Sequence, residues 1–335
     1  MRTPAAVCCR TGFALVLFLA GLARAQTPSP ALLVLEKGAN SLAIVDPASL
    51  KIVARVAAGT DPHEIVASDD GHFAYISNYG AFSMPQHTLS VVDLTTQKPL
   101  LTVDLANLIA PHGLDYVNGQ VYFTAEGSKV IGRYDPVSNK VDWTLGIGQN
   151  RTHMLVVRDN ATRIFTSNVN SDTIAFLERN KDADVSGWST ALVAVGKGPE
   201  GFDVSPDGKE LWAANSGDGT ISIIDIPGKK VMQTIDIRTK HSNRVKFTPD
   251  GKLVLVSDIG TGDLVVLDAA SRKLIKRINL GHGSAGIMVA PDGSRAFVAV
   301  SPDNNVAVVD LKTLALAGRI VTGNGPDGLA WAVRK

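Results

Sequence analysis

The chain has 335 residues, of which 45% are apolar and 6% aromatic, enough to bury one large β core or two ordinary ones. A formal net charge of +1 offers no field for a polyanion, so no nucleic-acid partner is expected. The two cysteines, Cys8 and Cys9, lie in the first few residues, which excludes thiol nucleophiles, thiolate metal sites and disulfide redox chemistry from the rest of the chain.

Arg2 and Arg10 precede an apolar run from Phe13 to Leu22, and Ala23-Arg24-Ala25 then presents small residues at the positions a signal peptidase reads. Residues 1–25 are therefore expected to be a signal peptide cleaved after Ala25, with a periplasmic or secreted mature protein. The apolar run is too short and wrongly flanked to be a membrane span. Losing Arg2, Arg10 and Arg24 takes the 33 basic residues to 30 against 32 acidic ones, a formal charge of −2. An exported domain of this size has core enough to do without disulfides. Residues 26–31 read as a linker, with Thr27 to Pro30 exposed, and the folded domain is expected over 32–335.

From Leu32 onward the hydrophobic period is close to 2, and no dozen residues follow a helical period. Runs such as Ser41-Leu-Ala-Ile-Val, Ile221-Ser-Ile-Ile and Leu264-Val-Val-Leu are separated by clusters of Gly, Asn, Asp and Pro, the mark of short strands and tight turns. An acid closes one strand of every unit: Asp46, Asp93, Asp135, Glu178, Asp225, Asp268 and Asp310, at steps of 42 to 47 residues. That is the period of four-stranded propeller blades, and the acids are expected to cap the turns that follow them. Pro-Asp-Gly at 206–208, 249–251 and 291–293 marks a second turn, with Asp69-Asp70-Gly71 and Asn118-Gly119 at matching places. Naming the strands a to d from the inside out, seven starts of strand a can be counted. The last, Gly328-Leu-Ala-Trp-Ala-Val, has no b, c or d after it, whereas Leu32-Leu-Val-Leu begins as a strand b. The expected fold is all-β: a seven-bladed β-propeller whose C-terminal strand, Leu329 to Val333, pairs beside Leu32 to Leu35 and closes the ring.

The pieces Asn-Ser-Gly-Asp-Gly-Thr-Ile-Ser-Ile-Ile-Asp, ending at Asp225, and Ser-Pro-Asp-Gly, ending at Gly208, resemble the YVTN-repeat family of seven-bladed propellers over essentially the whole mature chain. The units with Ala125-Glu-Gly-Ser and Thr166-Ser-Asn-Val depart furthest from the pattern. The resemblance implies the fold; the family's functions are diverse, so it assigns no activity.

Strand a of a propeller lines the central channel, and its first residues form a ring at the face that carries the b–c loops. Repeat alignment puts His63, His112, His153, Glu200, Asn243, Ala285 and Asp327 in this ring. Three of the seven histidines thus share one position on consecutive blades. Imidazoles converging from neighbouring blades suit zinc or copper with an open position, with Glu200 or Asp327 as proton acceptor in an oxidoreductase or lyase. The plainer reading is a polar, wet funnel that binds a ligand. The b–c loops add Asn78, Tyr79, Glu126, Asn168, Asn170, Asn215 and Asp258 to the expected ligand-binding set. The long loop after Asn78 offers Met84 and His87, more simply read as a solvent loop. Arg151, His241, Arg244 and His282 supply positive charge for an anionic ligand. The insertion from Arg179 to Ser189 is expected in a c–d loop on the opposite face. Hydrolase elbows, phosphate loops and His-Glu-x-x-His are absent from the sequence. The expectation is an exported, monomeric binding module for a small polar or anionic ligand, or a protein partner, at one channel mouth, with a metal-dependent enzyme as the alternative.

Overall fold

A computed structural model describes Met1 and residues 26–81, 83–180 and 187–335. Apart from Met1, the expected signal peptide lies outside these residues, as does the centre of the 179–189 insertion. The described residues form seven four-stranded antiparallel sheets in a ring, a seven-bladed β-propeller. In blade 5, for example, Pro199–Val204, Glu210–Asn215, Thr220–Asp225 and Lys230–Asp236 are strands a to d. Strands b and c are covered on both faces by neighbouring blades. Ala31–Glu36, a strand b, is buried throughout, and such strands read as continuous apolar runs, as strands buried on both faces do. The outer strand Lys140–Gly146 alternates exposed and half-buried residues. Seven apolar clusters hold the blades, with Trp212, Tyr134, Phe123 and Phe165 among the largest fully buried side chains.

Closure is as the orphan strand implied. The C-terminal strand a, Pro326–Ala332, pairs antiparallel with Ala31–Glu36, with Leu32 opposite Trp331 and Val34 opposite Leu329. The segment before it is not an exposed linker: Thr27 is buried, its hydroxyl donates to the Leu94 carbonyl and accepts from Gln97 Nε2, and its own carbonyl accepts from Arg334. The first residues are tied to blade 2 and to the C-terminus because these partners satisfy a buried hydroxyl and carbonyl. The acids at the ends of strand c cap turns as expected. Asp46 accepts from Ala48 N and Asp225 from Gly228 N. Glu178 instead pairs with Lys229 at 2.6 Å. Among the described residues no helix is long and apolar enough to cross a membrane.

Every blade carries a bulge near the start of strand a. In blade 2, Pro62 pairs with Asn78 and Ile65 with Ile76, so His63 and Glu64 together oppose Ser77. The same two-against-one count recurs at Pro111/Leu114, Thr152/Leu155, Pro199/Phe202, Ser242/Val245, Ser284/Ile287 and, in the closing blade, Pro326/Leu329 against Glu36 and Val34. A bulge re-aims the residues it contains, here toward the axis. In three blades a strand-b hydroxyl both accepts from an N–H freed by the bulge and donates to the next blade, and in a fourth Ser257 accepts from Arg244 N–H. Ser77, Thr124 and Ser167 accept from the N–H of Glu64, Gly113 and Met154, and donate to the carbonyls of His112, His153 and Glu200 in the next blade. Adjacent strands a come so close that a Cβ on Gly201 would lie 2.2 Å from the Asn243 carbonyl oxygen, and one on Gly286 2.1 Å from that of Asp327.

Removing Gly325–Lys335 should expose both neighbouring strand edges and abolish soluble, cooperatively folding protein. A truncated chain that stays monomeric and melts in one sharp transition would show that closure is dispensable.

Candidate functional site at the channel mouth

Two stacked rings build the mouth. The lower consists of the first bulge residues His63, His112, His153, Glu200, Asn243, Ala285 and Asp327, all of which line one cavity of about 300 Å³. The upper ring is the seventh residue counted from the start of strand b: Lys37, Tyr79, Glu126, Val169, Ser216, Ile259 and Ser301, of which Lys37, Tyr79, Ile259 and Ser301 line the same cavity. One hydrogen bond, repeated in all seven blades, fixes it. The upper-ring N–H donates to the carbonyl two residues before the lower-ring residue, as in Tyr79 to Asp61 (3.1 Å), Glu126 to Ala110 (3.0 Å) and Val169 to Arg151 (3.0 Å).

The residue just before the upper ring turns the other way. Asn78 is fully buried and donates to Thr88 and Ser90. Asn168 holds Thr152 and Thr173, Asn215 holds Thr220 and Ser222, and Asp258 accepts from the N–H groups of Lys240 and His241. These four belong to the blade interior and do not line the mouth, which corrects their expected placement. Alternation along the strand puts the next residue, not the last, over the channel. Lys37, Ile259 and Ser301 were missed for the same reason, although their repeat position was readable.

Tyr79 and Glu126 do reach the site. Tyr79 packs on His63 and His112, at ring centroids of 4.7 and 5.4 Å, and donates to Glu126 Oε2 at 2.7 Å. Glu126 Oε1 is in direct contact with His153 Nδ1. The His112 and His153 rings lie 3.8 Å apart and those of His63 and His112 5.0 Å apart. His63 nevertheless turns its nitrogens to Asp61 (3.1 Å) and Asp327 (3.7 Å). The three donors that come together are His112, Glu126 and His153, with ligand atoms all within 4.8 Å of one another; Glu126 takes the place expected of His63. His112 Nδ1 and His153 Nε2 are buried and make no hydrogen bond, with Glu200 3.5 Å from the second.

On the far side Glu200 faces His153 Nε2 at 3.5 Å and His241 at 3.3 Å, and Asn243 is 3.5 Å away. Lys37 pairs with Asp327 at 3.0 Å. Arg244 does not sit on the rim. It reaches down and across the channel to Glu64 in a buried ion pair that floors the cavity. Asn170 borders a side groove beside Arg151. Met84 and His87 stay outside, Met84 exposed and His87 paired with Asp104 at 2.9 Å, because the loop continues as a regular hairpin of Phe73–Ala81 and Met84–Asp93. His282 is exposed and bound to Asp303.

The charges are set against one another. Burial, then the neighbouring His153 and His63, hold His112 well below the ordinary imidazole value. Burial also opposes charge on His153, but the carboxylates of Glu126 and Glu200 outweigh it and raise its pKa. Burial likewise opposes ionisation of Glu126 and Glu200; His153 with Tyr79, and His153 with His241, overcome it and lower both.

Neither a protein-family model nor a curated protein matches the chain. Solved structures do. A functionally unknown protein from Desulfotomaculum acetoxidans superposes with a TM-score of 0.76 at 14% identity, covering 92% of this chain and 100% of that one. A putative 6-phosphogluconolactonase from Bacteroides uniformis gives 0.75 at 17%, covering 91% and 99%. Kuenenia stuttgartiensis hydrazine synthase gives 0.68 at 20%, covering 81% and 90%. The shared property is the fold. Identities this low carry no activity across.

The depressed His112 should stabilise the fold above the unfolded value of 6.5 and lose that contribution as pH falls. The raised His153 contributes below 6.5 and loses its contribution as pH rises through its folded pKa. Glu126 and Glu200 contribute above 4.5 and fade in acid. In metal-free protein, imidazole NMR signals should titrate on opposite sides of 6.5, assigned through His112→Gln and His153→Gln. Two superimposable titrations near 6.5 would refute the opposed environments.

Proposed function

We propose that the protein is an exported binding module of the YVTN-repeat type whose channel mouth holds zinc or copper through His112, Glu126 and His153 and uses it to retain a small polar or anionic ligand. The observation that carries the reading is the convergence of three buried donors from two adjacent blades, two of them with a ring nitrogen that makes no hydrogen bond. Two imidazoles and a carboxylate are a donor set that both metals accept with positions left open. An ion bound there supplies Lewis acidity to whatever oxygen or nitrogen donor enters the funnel. The chain's own contribution is to aim the donors. Strand-a bulges deliver the imidazoles, the upper-ring hydrogen bond fixes Glu126, and Tyr79 clamps its second oxygen.

The enzyme reading has less support. A proton acceptor works best with a pKa near the working pH, and Glu200 and Asp327 are both held low. At Asp327 burial is outweighed by Lys37 and His63. A protein partner could cover the same mouth, since every lower-ring residue faces it. Export rests on the sequence of residues 1–25, and mass spectrometry of exported protein should find an N-terminus at Gln26.

Protein loaded with zinc or copper and desalted should retain about one ion per chain. His112→Ala, Glu126→Gln and His153→Ala should each lose most of it, whereas His282→Ala should not. Retention should weaken as pH falls, because protons compete for the imidazoles, and first at His153, whose pKa is raised. A wild-type chain that holds no stoichiometric metal removes this function.

A further inference from the structure

A second cavity of about 240 Å³ opens beside the mouth and shares Tyr79, Glu126 and Arg151 with the site around it. Its remaining walls are apolar, supplied by Pro85, Ile109 and Ala110, with Asn170 at one end. The groove is built by a feature peculiar to blade 2. There strands b and c run to 9 and 10 residues, against 6 and 6 in blade 5. The extra pairs, Gly80 with Pro85 and Ala81 with Met84, raise a wall over the mouth. The wall and the floor are bonded together. Ala110 N–H donates to the Gln86 carbonyl (2.7 Å), Gly127 N–H to the Ile109 carbonyl (3.2 Å), and Ile109 N–H to Ser128 Oγ (3.0 Å). The groove is therefore preformed rather than a gap between loose loops.

Arg151 stands where the groove meets the mouth. Its Nε is buried without a hydrogen-bond partner, and Glu126 is 3.7 Å from it, beyond hydrogen-bonding distance. Its backbone is left-handed, at φ 54°. Three blades place glycine at the equivalent position, as Gly198, Gly283 and Gly325, with φ between 62° and 69°. A side chain there carries backbone strain, as Asp61 and Ala110 do at the same position of their blades, and no intramolecular hydrogen bond from the buried Nε of Arg151 offsets it. A partly exposed guanidinium held only by a loose ion pair with Glu126, beside an apolar trough, matches a carboxylate joined to a hydrocarbon arm.

We propose that groove and mouth form one bent site for a small organic acid, its carboxylate on Arg151 and its aromatic or branched aliphatic arm against Tyr79, Pro85, Ile109 and Ala110. This deepens the reading of the mouth as a ligand site and rests on it for the location of the ligand, but not on the metal.

Isothermal titration with 3-phenylpropanoate, acetate and 3-phenylpropanol tests it, on protein with and without zinc. The aromatic acid should bind at least tenfold tighter than acetate, which lacks the arm, and than the alcohol, which lacks the charge. Arg151→Gly should weaken it at least tenfold without lowering the melting temperature, because glycine relieves the left-handed strain. Pro85→Asp, an exposed change that adds repulsion to the trough, should do the same while zinc retention stays unchanged. Binding of 3-phenylpropanoate no tighter than acetate, or unaffected by both substitutions, overturns the groove whatever the metal does. Loss of zinc binding with acid binding intact overturns the metal centre and leaves the groove standing.

Discussion

Two residues of strand a facing one residue of strand b is the constraint on which this mouth depends. Without the bulge, a strand of period 2 would send alternate residues into the blade, and a one-residue shift would exchange the two faces. With it, His63, His112, His153 and Glu200 leave the ladder and point to the axis, while the apolar residues that follow return to register and pack between blades. The cost is a stretch of backbone without its ladder partners, met by the Ser77, Thr124 and Ser167 hydroxyls, each bridging two blades. Glycine at 201 and 286 then lets neighbouring strands close to distances no side chain tolerates. A narrow axis is what brings imidazoles from adjacent blades within 3.8 Å of each other.

So many ionisable groups in so small a space are held by pairing. Lys37 answers Asp327, Arg244 answers Glu64, and His153 lies between Glu126 and Glu200. Breaking a buried pair by removing one partner costs about 3–5 kcal/mol because it strands the other charge, so these groups are mutually required. Against that background His112 Nδ1, His153 Nε2 and Arg151 Nε stand apart: none makes a hydrogen bond, and the last two have only the looser ion-pair contacts with Glu200 at 3.5 Å and Glu126 at 3.7 Å. All three border the mouth or its side groove, where a ligand can complete them.

Asymmetry is laid over a symmetric frame. The upper-ring hydrogen bond and the strand-a bulge occur in every blade, yet the histidines occupy only blades 2 to 4 and the extended hairpin only blade 2. The site is accordingly off-axis, concentrated where blades 2, 3 and 4 meet. The opposite wall carries Ala285 and Asn243, whose Oδ1 is buried without a hydrogen-bond partner.

The sequence by itself determined the blade count, the closing strand and the lower ring, because each is written in a repeat whose period, turn residues and orphan strand can be counted. His63, His112 and His153 are in register at the mouth for that reason. It also determined that the aspartates ending strand c cap turns, since Asx chemistry is local, whereas Glu178, with its longer side chain, pairs with Lys229 instead. What only the tertiary structure decided is direction and company. The register of Asn78 and Tyr79 is legible, but which of the two faces the channel follows from the hydrogen bond of Tyr79 N–H to the Asp61 carbonyl at the entry to strand a of the same blade. That His63 turns to Asp61 and Asp327 while Glu126 joins His112 and His153 follows from packing between blades, which no single repeat encodes. Arg244, placed on the rim by sequence position, crosses to Glu64 because a buried guanidinium must find a carboxylate, and the nearest one in space is 180 residues away in the chain.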